Sequence, residues 1–400
     1  MLKLHIRKAS PIGQWTIDRS LILLVTGNPA YNRPLRRSAA LLMDEYNRAV
    51  DTEGFGALLV RTWNGAGTGA ERAIEIGGAL EFLADGDVIR ITPDRNVSVI
   101  YRLNASINSL LVTERCNSFC VMCSQPPRDI DDSYLVDQWM EAIPLFSRKT
   151  REIGITGGEP TLLGDDLYRL LRQLKSFLPD TAVHMLSNGR NFRSLEAAKR
   201  LAAVRHPDIM LGIPLYSDVA AIHDFVVQAD GAYDETIRGL LNLHRCGVPI
   251  ELRVVIHRAT YDRLPALARF IVRNLQFVSK VALMGLEITG FTKANLSELW
   301  IDPTEYQLQL REAADILLRG RVPTAIYNHQ LCVVDRTLWP LAVRSISDWK
   351  NEYMPECEGC SVMYQCGGFF SSARIKRSAH ISPIDSNGVR ALSSRRLSSP

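Results

Sequence analysis

The sequence has little that would seat it in a membrane or on a nucleic acid. Its longest apolar run near the start, "LILLVTG", is far short of the ~20 residues a spanning helix needs. The opening "MLKLHIRKAS" lacks the uninterrupted apolar stretch of a secretory signal. Charge of one sign is scarce as well. The 47 basic and 43 acidic side chains leave a net +4 over 400 residues, too small and too mixed to follow a phosphate backbone. These absences predict no membrane, no nucleic-acid partner and a cytoplasmic location. Cysteine is sparse, with 8 in the chain, and in a reducing cytoplasm those thiols do not form a disulfide framework. What is present is a chain 46% hydrophobic, able to bury a sizeable core in about two or three domains.

The few cysteines are grouped. Cys116, Cys120 and Cys123 fall in "CNSFCVMC", and Cys357, Cys360 and Cys366 in "CEGCSVMYQC". Cys332 and Cys246 stand apart, and Cys246, at the end of an amphipathic stretch, reads as a small core residue.

Pattern divides the chain. Residues 1–105 carry short β-like runs at 21–26, 56–61, 87–92 and 97–103, a helical segment around 38–49 and a glycine-rich link, "NGAGTGA". This predicts a small β-rich domain for packing or docking, without a catalytic constellation. From residue 106 to about 320, apolar runs ("SLLVT", "EIGIT", "AVHMLS", "IMLGIPL", "IELRVVI", "KVALMGLEI") alternate with amphipathic stretches such as "DDLYRLLRQLKSFL". Successive βα units imply a parallel sheet with helices outside it. If that sheet curls, its chemistry gathers at the C-terminal strand ends. There "CNSFCVMC" follows the first strand and "TGGEP" the second. Residues 321–371 hold the second thiol group. The tail at 372–400, rich in Ser and Arg, is expected to be disordered.

Three thiolates on one tight loop can hold three irons of a [4Fe–4S] cluster and leave the fourth iron open. Zinc is the rival, but a structural zinc site would want a fourth Cys or His close by, and the next histidine is His184.

Cys-x3-Cys-x2-Cys after a first strand and Gly-Gly-Glu-Pro after a second resemble the radical S-adenosylmethionine (SAM) superfamily over residues 106–290. The resemblance implies an α/β fold, a partial (β/α)6 radical SAM barrel. It also implies S-adenosyl-L-methionine on the open iron, cleaved reductively to a 5′-deoxyadenosyl radical. Met122 departs from the pattern, which often has an aromatic residue there. Carried over by position, Gly157, Gly158 and Glu159 would meet the SAM amino group, the glycines leaving the backbone bare for its approach. Ser187 and Asn188 would approach SAM from the third strand end, Ser217 would contact ribose, and residues 255–258 would flank adenine. For Ser187, Ser217 and His257 a place on a loop surface is an equal reading, and His223 and Asp224 read better as a helix cap.

Cys-x2-Cys-x5-Cys at 357–366 resembles the SPASM and twitch auxiliary-cluster regions of radical SAM peptide maturases, with Phe370 where the longer version has a further Cys. This implies one second, auxiliary [4Fe–4S] cluster with Cys332 as fourth ligand. A zinc knuckle is the alternative. The phrases "LLVTERCNSFCVMCSQPPRDIDD", "GITGGEPTLLG", "HQLCVVDRTLW", "SISDWKNEY" and "CGGFF" are similar to the C-type radical SAM maturases of the bacterial His-Xaa-Ser system. That resemblance implies a ribosomally made peptide or small protein with His-Xaa-Ser repeats as substrate, a second radical SAM maturase as partner, and a reductant protein. The "HIS" at 380–382 carries no weight. The alternatives are a radical SAM activase, a small-molecule oxidoreductase, and a non-catalytic metal-binding interaction protein.

Overall fold

The computed structural model describes residues 4–13, 15–65, 72–344 and 352–385. Most of the "NGAGTGA" link and of "SISDWKNEY", and residues 386–400 of the expected tail, lie outside them.

Eight strands form the first sheet: His5–Ile6 (β1), Ser10–Ile12 (β2), Leu21–Thr26 (β3), Ala39–Glu45 (β4), Ala57–Thr62 (β5), Ala73–Glu75 (β6), Val88–Ile91 (β7) and Val97–Tyr101 (β8). Their order is β1-β8-β7-β3-β4-β5-β6-β2. Because β1 and β2 are separated by only residues 7–9 yet pair with opposite ends of the sheet, the sheet curls so that its two edge strands come near each other without pairing. The helix expected around residues 38–49 is instead β4. The alanines and leucines of "AALLMDE" have good helical propensity, but parallel pairing to β3 and β5 and burial on both faces override it.

The second sheet is wholly parallel and runs in chain order: Asn108–Leu111 (β9), Glu152–Thr156 (β10), Ala182–Leu186 (β11), Ile209–Pro214 (β12), Ile250–Ile256 (β13), Lys280–Gly285 (β14) and Thr324–Tyr327 (β15). Crossovers carry helices Tyr134–Ala142 (α1), Asp165–Phe177 (α2), Leu195–Ala203 (α3), Ala220–Val227 (α4), Ala232–Arg245 (α5), Leu264–Asn274 (α6), Leu296–Leu299 (α7) and Gln307–Arg319 (α8). In α2 the buried residues Leu167, Leu170, Leu171 and Leu174 repeat at helical spacing and press one stripe onto the sheet. The two outer strands of the order do not pair, so this is a partial barrel with all strand ends at one mouth. The six strands read from the sequence are β9 to β14. The seventh, β15, lies beyond the expected barrel boundary at 320.

The first sheet rests on the start of the second. Tyr101 stacks on Phe146 at 4.2 Å and its hydroxyl meets Thr150 Oγ1 at 2.8 Å, while Arg90 Nη1 donates to Gln138 Oε1 of α1 at 2.8 Å. After β15 the chain continues in short turns. The tail is not disordered from Ser372 as expected: Ser378, Ile381 and Ile384 are buried. An alternation of apolar and polar residues too brief to score as an element still docks two isoleucines.

Candidate functional site

The first thiol loop leaves β9 and is held from several directions. Asp132, 1% exposed, accepts from Thr113 Oγ1 at 2.9 Å and from the Glu114 amide, fixing the loop's entrance. The end of α4 receives the middle of the loop, with Phe119 N on Val227 O at 3.0 Å and Val121 N on Val226 O at 2.9 Å. Asn295 Nδ2 donates to Val121 O at 2.8 Å. Arg190, after β11, donates through Nη1 to Asn117 O and to Ser118 Oγ, and its Nε donates to Glu235 Oε2 of α5 at 2.7 Å. The loop is thus tied to segments that follow β9, β11, β12 and β14 before any metal binds.

Burial first, and the neighbouring charges after it, push the Cys116 thiol up to about 11 and the Cys120 thiol up to about 12. Burial also raises Cys123, whose Sγ donates to Gln125 O at 2.9 Å. The free thiols therefore stay protonated at neutral pH, and metal binding must release protons.

The "TGGEP" residues come together with this loop. Gly158 N donates to Thr113 O and Glu159 N to Arg115 O, both at 2.8 Å. A Cβ on Gly157 would lie 2.3 Å from Thr113 O, and one on Gly158 2.1 Å from Arg115 O. The bare side of these glycines is filled by the thiol loop's own backbone, not left free for a cofactor. The Glu159 side chain, 0% exposed, turns inward. Its Oε1 accepts from Thr161 N, Thr161 Oγ1 and Ser187 Oγ (3.0, 2.6 and 2.8 Å), and its Oε2 from Asn188 N at 2.7 Å. Burial raises its carboxyl, with those donors pulling the other way. Glu159 thereby joins the ends of β10 and β11, its buried carboxylate held by these four donors.

Asn188 does face the loop: its Nδ2 donates to Asn117 Oδ1 at 2.6 Å and lies 4.0 Å from Cys116 Sγ. Ser187 is buried, and Ser217, 0% exposed, accepts from Val219 N at 3.1 Å. Asp224 caps the start of α5 through Tyr233 N at 2.7 Å, and His223 Nδ1 accepts from Tyr216 N at 3.3 Å. His257 is not a loop-surface residue. It is 0% exposed, has no hydrogen-bond partner for either ring nitrogen among the described residues, and stands 6.4 Å from the ring of Tyr216. Sequence reading missed Asp132, Arg190, Glu235 and Tyr216. The first three depend on partners 18 or more residues away and Tyr216 on its packing beside His257, and single-residue patterns carry no such signal.

The second group also assembles. Cys332 packs with Cys357 in one small apolar cluster and with Cys360 and Cys366 in another, and Leu331 N donates to Cys366 Sγ at 3.5 Å. Cys246 packs against the barrel core. Among the described residues no three His, Cys, Asp or Glu side chains are gathered closely enough to hold a single metal ion. Each donor set is of thiols alone, a set that suits an iron–sulfur cluster.

A parallel partial barrel bearing a braced three-thiol loop at its mouth defines a class of iron–sulfur enzyme. Residues 110–271 match the family described as the Radical SAM superfamily. That family implies a [4Fe–4S] cluster and SAM, and the three thiols fit the cluster. The chain is 27% identical over 217 residues to a pre-heme d1 synthase of Dinoroseobacter shibae, covering 54% of this chain and 50% of that one. It spans half or less of the length of the curated relatives it matches. Among solved structures, native anSMEcpe with bound AdoMet superposes with a TM-score of 0.50 at 12% identity over 72% of this chain and 94% of that one, a likeness of fold. Streptococcus suis SuiB bound to its precursor peptide SuiA gives a TM-score of 0.42 at 15% identity, over 57% and 49%. No helix among the described residues is long and apolar enough to cross a membrane.

Proposed function

We propose that the protein is a radical SAM peptide maturase acting on a ribosomally made His-Xaa-Ser repeat peptide or small protein, with a second radical SAM maturase and a reductant protein as partners. The observation that carries the reading is the presence of two all-thiol sets on one chain. Cys116, Cys120 and Cys123 stand at the barrel mouth, while Cys332, Cys357, Cys360 and Cys366 stand beyond β15. A cleft opens at the ends of β13 and β14, lined also by Trp300, Tyr306, Phe369 and Phe370. When bound, the first cluster and SAM supply a 5′-deoxyadenosyl radical that takes a hydrogen atom from substrate. The chain holds that chemistry in place: Asp132 and Arg190 fix the loop, Asn188 stands beside Cys116, and Glu159 ties two strand ends beneath them. The second set holds an auxiliary [4Fe–4S] cluster. Four protein ligands leave it no open iron, which suits it to electron transfer.

Co-expression with a His-Xaa-Ser repeat protein, followed by mass spectrometry of that protein, tests the reading. Wild type changes the mass of the repeat protein and Cys116→Ala does not. Reconstituted wild type holds about eight irons, and each triple Cys→Ala variant about four. A second reading, oxidation of an iron tetrapyrrole, is favoured by the similarity to a pre-heme d1 synthase. An unmodified repeat protein together with consumption of an iron porphyrin would establish it in place of the first.

A further inference from the structure

The segment that follows Arg377 turns back over the second thiol group. Ser378 anchors it: its Oγ donates to Asp302 Oδ1 at 2.8 Å, a contact buried on both sides, and accepts from His380 N at 3.1 Å. Ile381 then packs with Val333, Met354 and Phe369 beside Cys332 and Cys357. Ile384 packs with Leu331 and Val362 beside Cys332, Cys360 and Cys366. At the second isoleucine the backbone faces a sulfur. Ile384 N donates to Cys360 Sγ at 3.4 Å. Ser361 N donates back to Ile384 O at 2.9 Å and locks the register.

Amide N–H groups aimed at sulfur stabilise the negative charge that a thiolate keeps when it binds metal, and they help set a cluster's potential. An apolar cover limits solvent access, the other property that tunes such a site. A segment that was only a surface tail would bury neither isoleucine and would direct no amide at a sulfur.

We propose that residues 378–384 form a strap that completes the second metal site, with the Ile384 amide as its outer donor to Cys360 and the two isoleucines as its seal. The proposal rests on the four-thiol reading above, but its first test needs no metal.

In the reduced, metal-free full chain, alkylation rates mapped by peptide mass spectrometry report access to each thiol. In a chain ended after Arg377, Cys332 and Cys360 are expected to react about tenfold faster or more. Cys116 keeps its rate, which also shows that the shortened chain is folded. A finer pair separates donor from bulk: Ile384→Pro keeps an apolar side chain but removes the N–H, whereas Ile384→Val keeps the N–H. After anaerobic reconstitution, chelator-driven iron release is expected to have two phases. The second-site phase speeds up several-fold in Ile384→Pro and not in Ile384→Val. Equal alkylation rates with and without the strap would overturn the proposal, as would equal iron release from the Pro and Val variants. Wild type holding only about four irons overturns the four-thiol reading instead, and the alkylation result still decides the strap.

Discussion

At the scale of single residues, the glycines of "TGGEP" show how a missing side chain makes room for a neighbouring stretch of backbone. Their spacing after a strand put them at the barrel mouth, and the missing side chains suggested room for an approaching ammonium group. In the structure the room is already taken, because the thiol loop lies directly on them. Gly158→Ala therefore acts on the loop itself. Its Cβ would meet Arg115 O, which cannot rotate away as a side chain could. Such overpacking costs about 1–3 kcal/mol. The displaced segment contains Cys116. We expect the variant to unfold at lower urea and to take up less than half the first-site iron. A variant with full iron and weakened SAM binding alone would restore the cofactor-edge reading of Gly158.

At the scale of elements, the β/α alternation was legible wherever strands were long and flanked by amphipathic helices, as β9 to β14 are. β15 was not, since "TAIY" after Pro323 is four residues without a period, and only pairing to β14 makes it a strand. Likewise β4 carries helix formers and is a strand because its neighbours demand it. The thiol groups were legible because metal chemistry needs fixed short spacings, whereas the braces around them arise from three-dimensional contact. The same is true of an ion network inside the barrel. Glu251 of β13, 1% exposed, meets Lys280 Nζ of β14 and Arg253 Nη1, both at 2.7 Å, with His184 Nε2 at 3.7 Å. Burial works to raise the Glu251 carboxyl, but the Lys280 hydrogen bond and the Arg253 charge outweigh it and hold it below its usual value. Glu251→Gln strands two cations about one quarter to one third exposed. Removing one partner of a buried pair costs about 3–5 kcal/mol, and the partial exposure here brings the expectation to about 2 kcal/mol. Urea denaturation of the single variant and of Glu251→Gln with Lys280→Met checks it. The double variant should recover part of the loss, and a simple sum of the two single effects would mean the pair is uncoupled.

At the scale of the whole molecule, one kind of group is distributed unevenly between the two sheets. His223, His257 and His329 all lie on the second, in α4 or just after β13 and β15, and burial lowers each to about 4. His257 has no partner at either nitrogen among the described residues. His329 is satisfied as a neutral ring, its Nε2 2.8 Å from Tyr306 Oη and its Nδ1 2.8 Å from Tyr327 O. In the unfolded chain each imidazole takes a proton near pH 6.5, while the folded barrel refuses it until about pH 4. The unfolded state thus binds more protons throughout that window, so stability is full above pH 6.5 and is lost as pH falls toward 4. Each group approaches about 1.4 kcal/mol per pH unit once its unfolded form is fully protonated, and the three together remove about 3 kcal/mol between pH 6.5 and 5.5. His184 and His206, also lowered by burial, act in the same direction. Urea titrations of the metal-free chain across this range should show the loss. His257→Leu isolates one term, since it removes a buried ring with no hydrogen bonds to lose and relieves two unsatisfied nitrogens. The variant should match or exceed wild type at pH 5.5 and show a pH slope shallower by about one proton. An unchanged slope would mean that His257 takes up its proton in the folded barrel as readily as in the unfolded chain, and that the mouth is open to water there.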